Sequence, residues 1–166
     1  FQGDLGRRLN IPVIIEMDNK DAALGERCVS QVKVALVVKL GTAMAGKSID
    51  DQGNITDNFE EIRQVIVNSS ETAHMNVQTG IRGTLRSYGT AEAFRVLSQE
   101  VLGQSMKYEE VVAAFAQHPS EELYRILELN GAYIARGLVK LQRILGFQTV
   151  ILSGKNLEGP HGAVIV

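Results

Sequence analysis

Cysteine, proline and aromatic residues are scarce in this chain: one cysteine, three prolines, no tryptophan, and only 5% aromatics among 166 residues. The lone Cys28 excludes an internal disulfide and suits a reducing compartment, so a cytoplasmic location is expected. No apolar run approaches the roughly 18 residues that cross a bilayer, and no membrane partner is expected. Neither sign of charge prevails: 17 Lys and Arg stand against 19 Asp and Glu, a net charge of −2. That balance offers no basic footprint for nucleic acid. Internal repeats, low-complexity tracts and a signal peptide are missing as well. The chain opens at Phe1-Gln2 without an initiator Met, which reads as a piece of a longer protein. What remains is an ordinary globular composition, 45% hydrophobic and 22% charged, long enough for one domain or one lobe with a real core.

The most informative stretch is Pro12 to Glu26, PVIIEMDNKDAALGE. Val13-Ile14-Ile15 reads as a short buried strand closed by the polar cluster Glu16, Asp18, Asn19 and Asp21. A helix from about Ala22 to Gln31 follows. Carboxylates at the C-terminal lip of such a strand stand where open α/β sheets bind ligands. Asp18 has two readings, a helix N-cap or a functional carboxylate; Asp21, directly before Ala22, suits the cap better. Lys33 to Leu40 is a second strand, Gly41 to Gly46 a small-residue turn, and Lys47 to Ile49 a third strand. Asp50-Asp51-Gln52-Gly53-Asn54 carries the turn chemistry of a hairpin leading into Ile55.

Further along, Ile62 to Val67 reads as a short strand, and Asn68-Ser69-Ser70 as a loop or cap before Glu71 to Met75. Thr79 to Thr84 is a glycine-punctuated loop. Thr90 is placed to cap a helix carrying Ala93, Phe94, Val96 and Leu97, and Tyr108 to Gln117 forms another, stopped before Pro119. Ser120 caps a long helix whose Leu123, Leu127, Ile134, Leu138, Leu141 and Leu145 recur near the 3.6 period, with Gly146 ending it. Gly131, Ala132, Ala135 and Gly137 lower its intrinsic propensity, and the close approach of another backbone is the expected compensation. Phe147 to Leu152 is a last strand, running into Ser153-Gly154-Lys155-Asn156. Strands and helices in this order define an α/β chain.

Two sites follow from these residues. Glu16, Asp18, Glu71 and His74 form one polar cluster if the middle loop folds over the first strand. Gly41-Thr42 and Ser153-Gly154 are small-residue turns at strand ends, suited to offering backbone N–H groups to phosphate. Taken singly, each glycine pair reads first as a plain turn, and His74 first as an exposed or internally satisfied histidine. Taken together they suggest a kinase-like site.

In order along the chain, PVIIEMDNKDAALGE, VVKLGTAMAG, ETAHM, TGIRGTLRSYGT and TVILSGKN resemble five segments of the bacterial ROK family, the repressors, open reading frames and sugar kinases. The resemblance covers nearly the whole chain. It implies an actin-like ATPase (ribonuclease H-like) lobe, a mixed sheet flanked by helices, with residues 1–166 forming a single C-terminal lobe. By position, Asp18 would be the general base toward a sugar hydroxyl. Glu71 and His74 would bind the hexose, Gly41 and Thr42 the phosphates of ATP, and Gly154 would lie near the nucleoside. Mg2+ would arrive with ATP. The sequence departs from the family where Met17 replaces an Asn, where Ala43 and Ala45 enter the glycine loop, and where Arg86 replaces a Glu. Val77, Thr79 and Thr84 stand at cysteine positions, so no structural zinc is expected. No D-x-G-x-T phosphate motif and no DNA-binding segment is recognisable, so this piece alone is expected to be inactive and to bind no nucleic acid. Two functions stay open: ATP-dependent phosphorylation of a hexose such as glucose, or sugar sensing in a transcriptional regulator. A homo-oligomer is compatible with both.

Overall fold

The computed structural model describes residues 34–56 and 60–154, together with Ala23, Gly25, Leu157 and Gly162. The expected first strand lies outside these residues, as do Glu16, Met17, Asp18, Asn19, Asp21, Lys155 and Asn156. Of the helix expected from Ala22 to Gln31, only Ala23 and Gly25 are described, and both are helical.

A four-stranded mixed sheet organises the described residues, in the order β3-β2-β1-β4. Strands β1 (Ala35–Leu40), β2 (Met44–Ile49) and β3 (Ile55–Thr56) form an antiparallel meander, and β4 (Thr149–Ser153) pairs parallel with β1. Between β3 and β4 come a 3-10 helix (Glu60–Gln64) and four α-helices: α1 (Leu85–Gly89), α2 (Ala93–Leu102), α3 (Tyr108–Gln117) and α4 (Glu121–Leu145).

The near-continuous apolar run of β1 suits a central strand covered on both faces. Its alternate residues divide accordingly. Leu36, Val38 and Leu40 join the main core with Leu85, Phe94, Leu97, Ile126 and Leu127 from the helices. Ala35 and Val37 turn to the other face, where Ile49, Ile55, Ile151 and Ala23 pack with them.

Helix α4 forms as its chemistry dictates. Ser120 Oγ accepts from Leu123 N at 3.2 Å, Glu121 and Glu122 occupy the first turn, and Gly146 at φ 67° ends the helix. These features satisfy orphan N–H groups, complement the dipole and allow a left-handed cap. The β2–β3 connection is held as its sequence suggests. Gly53 takes φ 79°, and Asn54 donates its N and Nδ2 to the Asp50 carboxylate at 2.6 and 2.9 Å. Those bonds hold the Asp50 carboxyl below its ordinary range.

Several boundaries differ from expectation. Val34 takes a positive φ of 52°, so β1 starts at Ala35. β2 starts at Met44, three residues before Lys47, because the hairpin turn needs only Gly41-Thr42-Ala43. Ile62 to Val67 is no strand. The 3-10 helix covers its first half, and Ile66 makes a single bridge to Thr84. Thr90 does not cap α2; its Oγ1 donates to Arg86 O at 2.9 Å and closes α1, a short helix with no sequence forecast. On α4, Ala132 and Ala135 face solvent. Gly137 is packed tightly, but by the Leu85 side chain rather than by a backbone.

Candidate functional site

The parallel pairing of β1 with β4 decides the geometry of the strand ends. Lys39 stands opposite Ser153, so Leu40 lies beside Gly154. Gly154 takes φ 120°, and a Cβ there would overlap Leu40 O. Glycine is therefore demanded both by dihedral and by close approach. The turn after β4 thus presses on the chain just before Gly41. Gly41 N donates to Ala43 O at 3.2 Å and Gly41 O accepts from Ala91 N at 3.0 Å. Because its N–H is used within the hairpin, Gly41 shapes the turn, and Thr42 stands exposed at the tip.

Glu71 and His74 lie on an arch between Val67 and Thr84 that contains little regular structure but many backbone bonds. Val67 N and Asn68 N both donate to Gly83 O, at 2.7 and 3.1 Å, while Gly83 N donates to His74 O at 3.0 Å. Ala73 N donates to Ser70 O at 3.0 Å, and the Arg82 guanidinium donates to Ala73 O at 3.0 Å. Gly83, at φ 68°, lies so close to Asn68 O that a Cβ would collide with it. The side chains of Glu71 and His74 are both exposed. They are three residues apart on one anchored segment.

Beneath His74 is a cavity of about 40 Å³ lined by Asn76, Gln78, Arg86, Ser87 and Glu92 as well as His74 itself. That space suits a few waters and is smaller than a hexose ring. It can serve one edge of a polyhydroxyl ligand, with Arg86 donating and Glu92 accepting. Glu92 links this cavity to the strand ends, since its neighbour Ala91 is bonded to Gly41. A larger hollow, about 560 Å³, lies elsewhere, on the first turns of α4 at Glu121, Glu122, Tyr124, Arg125 and Glu128. It contains none of the residues singled out from the sequence.

The structure therefore joins Gly41, Thr42 and Gly154 at one sheet end, and Glu71 with His74 on the arch; Asp18 lies outside the described residues. Val77 and Thr79 are exposed, whereas Thr84 is buried and caps α1 through Ser87 N. Among the described residues no group of three or more His, Cys, Asp and Glu is placed to hold a metal ion. Glu92 gave no signal beyond flanking a helix. Nor did Asn68, Tyr88, Asn130 and Tyr133, which join by hydrogen bonds behind His74; the only hint was Asn130 and Tyr133 at i, i+3 on a helix.

The described residues form an α/β lobe, a mixed sheet with helices packed on it, and its likeness to solved structures is to proteins of the actin-like ATPase fold. Solved structures that it resembles include ROK proteins. The ROK hexokinase of Thermus thermophilus superimposes with a TM-score of 0.76 at 17% identity, over 99% of this chain and 57% of that one. A ROK glucokinase of Streptomyces griseus, solved with glucose and AMPPNP, gives 0.71 at 17% identity, over 99% and 58%. A ROK transcriptional regulator, a homolog of the E. coli MLC protein, gives 0.74 at 12% identity, over 99% and 43%. No protein-family model matches the chain, and no curated protein matches it in sequence. The likeness to ROK proteins read from the sequence is thus borne out as likeness of fold. The chain spans about half the length of these structures. Among the described residues, no helix is long and apolar enough to cross a membrane.

Proposed function

We propose that this chain is the C-terminal lobe of a ROK-like sugar kinase that transfers the γ-phosphoryl group of ATP to a hexose hydroxyl. The observation that carries the reading is the convergence of Gly154 with Leu40-Gly41 at the ends of β1 and β4. Ala91 and Glu92 connect that place to the arch bearing Glu71 and His74.

Each group has a role suited to its chemistry. Glu71 accepts from sugar hydroxyls and His74 donates to or accepts from them, both on a backbone anchored enough to hold an acceptor in line. Asp18 takes the proton from the attacking hydroxyl. Thr42 and the shape imposed by Gly41 admit the phosphates, and the turn at Gly154, held against the Leu40 backbone, borders the nucleoside. Phosphoryl transfer asks the protein mainly for such positioning and charge stabilisation. Mg2+ brought in with ATP would supply neutralisation of the phosphate charge. In the full-length protein, Asp18→Asn abolishes sugar-dependent ADP release while leaving the thermal transition unchanged. Retained turnover would remove Asp18 from the role of base.

A second reading is favoured by Arg86, whose positive charge lines the cavity beneath His74. In it the same scaffold senses a sugar within a transcriptional regulator, without catalysis. Hexose binding without any ATP turnover in the full-length protein distinguishes it from the kinase.

A further inference from the structure

The two exposed residues proposed to contact sugar are tied to the same pair of side chains. Asn68 accepts from Ser70 N through Oδ1 at 3.0 Å, immediately before Glu71. Its Nδ2 donates to Tyr88 OH at 3.2 Å. Tyr88 OH accepts in turn from His74 N at 3.0 Å. One chain of three hydrogen bonds therefore runs from the residue preceding Glu71 to the backbone of His74. A phenol oxygen has two lone pairs, and here His74 N–H and Asn68 Nδ2–H use both.

This pair is itself held from behind. Tyr88 is fully buried. Asn130 Nδ2 donates to Tyr88 O at 2.9 Å. Tyr133 packs its ring against that of Tyr88 with centroids 4.4 Å apart and shares Asn68 Nδ2 at 3.4 Å. Asn130 and Tyr133 are three residues apart, on one face of α4. The longest helix among the described residues thus grips Tyr88 by its carbonyl and its ring, leaving the hydroxyl to face the arch.

We propose that Asn68 and Tyr88 are positioning residues that fix the spacing between Glu71 and His74, and so set acceptor-sugar affinity. The inference rests on the sugar-site reading above, but the hydrogen bonds themselves do not. Tyr88→Phe removes the hydroxyl and keeps the buried ring and its stacking. The consequence is confined to the arch: His74 N–H loses its acceptor, and Asn68 loses one of the two phenol oxygens it reaches.

The test uses the full-length protein. In Tyr88→Phe the His74 amide exchanges with deuterium faster than in the parent. The KM for the best hexose rises about tenfold while kcat and the KM for ATP change less than about twofold, as expected for loss of a single net hydrogen bond acting on acceptor binding. Asn68→Ala has the same signature, and the double variant is no worse than the more affected single one, because both release the same element. Unchanged exchange at His74 overturns the clamp. Faster exchange with an unchanged hexose KM leaves the clamp a purely structural feature and overturns the positioning role. A parent protein that neither binds nor phosphorylates any hexose overturns the sugar reading, and with it the positioning role, whatever the exchange shows.

Discussion

Gly154 and Gly103 each take a positive φ, 120° and 70° respectively. Their surroundings differ. A Cβ at Gly103 meets nothing within 4 Å, whereas one at Gly154 collides with the backbone of Leu40. Gly103→Ala therefore costs about 1 kcal/mol, the ordinary penalty of the left-handed region. Gly154→Ala costs about 3 kcal/mol or more, because two paired backbones must part. Urea melts of the two variants check this; equal losses would contradict the close approach of β4 to β1. In the sequence Gly154 reads as a turn glycine and nothing more, since its neighbour across the sheet, Leu40, lies more than a hundred residues away in the chain.

Among the elements, those with strong local signals were legible and those made by tertiary contact were not. The span of α3 matches the sequence reading at both ends. α4 begins one residue after its Ser120 cap and stops before Gly146, because caps and a 3.6 period act locally. The stretch Ile62 to Val67 reads as strand, yet its first three residues belong to the 3-10 helix at Glu60–Gln64. Its Val65, Ile66 and Val67 neighbours have β propensity, which gives way to packing of Ile62 beneath Gly46 of β2. α1 was missed because five residues carry no period; it is fixed by the Thr84 cap and the burial of Leu85 and Tyr88. Of the candidate site, the glycine turns and the arch with Glu71 and His74 were legible as sequence segments, while the Asn68–Tyr88 link depends on contacts no spacing encodes.

The α4 face that holds Tyr88 also gives a pH signature. Burial, then the nearby Tyr88 and Glu100, push the Tyr133 phenol above its ordinary value of 10.0. A group with a raised folded pKa stabilises the fold fully below its unfolded pKa, and that contribution fades as pH rises toward the folded value. Stability accordingly declines from about pH 10 upward. Tyr133→Phe flattens that part of the profile. Urea midpoints between pH 8 and 11 measure it, and an identical slope in both proteins would contradict the burial of the phenol.

For the whole molecule, the described residues make a lobe in which a mixed sheet carries two turns to one end and the helices carry an anchored arch beside them. The fold is shared by kinases and by a regulator, so fold by itself does not separate phosphorylation from sensing. Sugar recognition underlies both readings, and Glu71 and His74 are the residues proposed to carry it. The most direct test is calorimetric titration of the full-length protein with a panel of hexoses, with and without ATP and Mg2+. The account predicts saturable heat with at least one hexose, weakened in Glu71→Ala, and ADP release that depends on that same sugar. No heat with any hexose would contradict it.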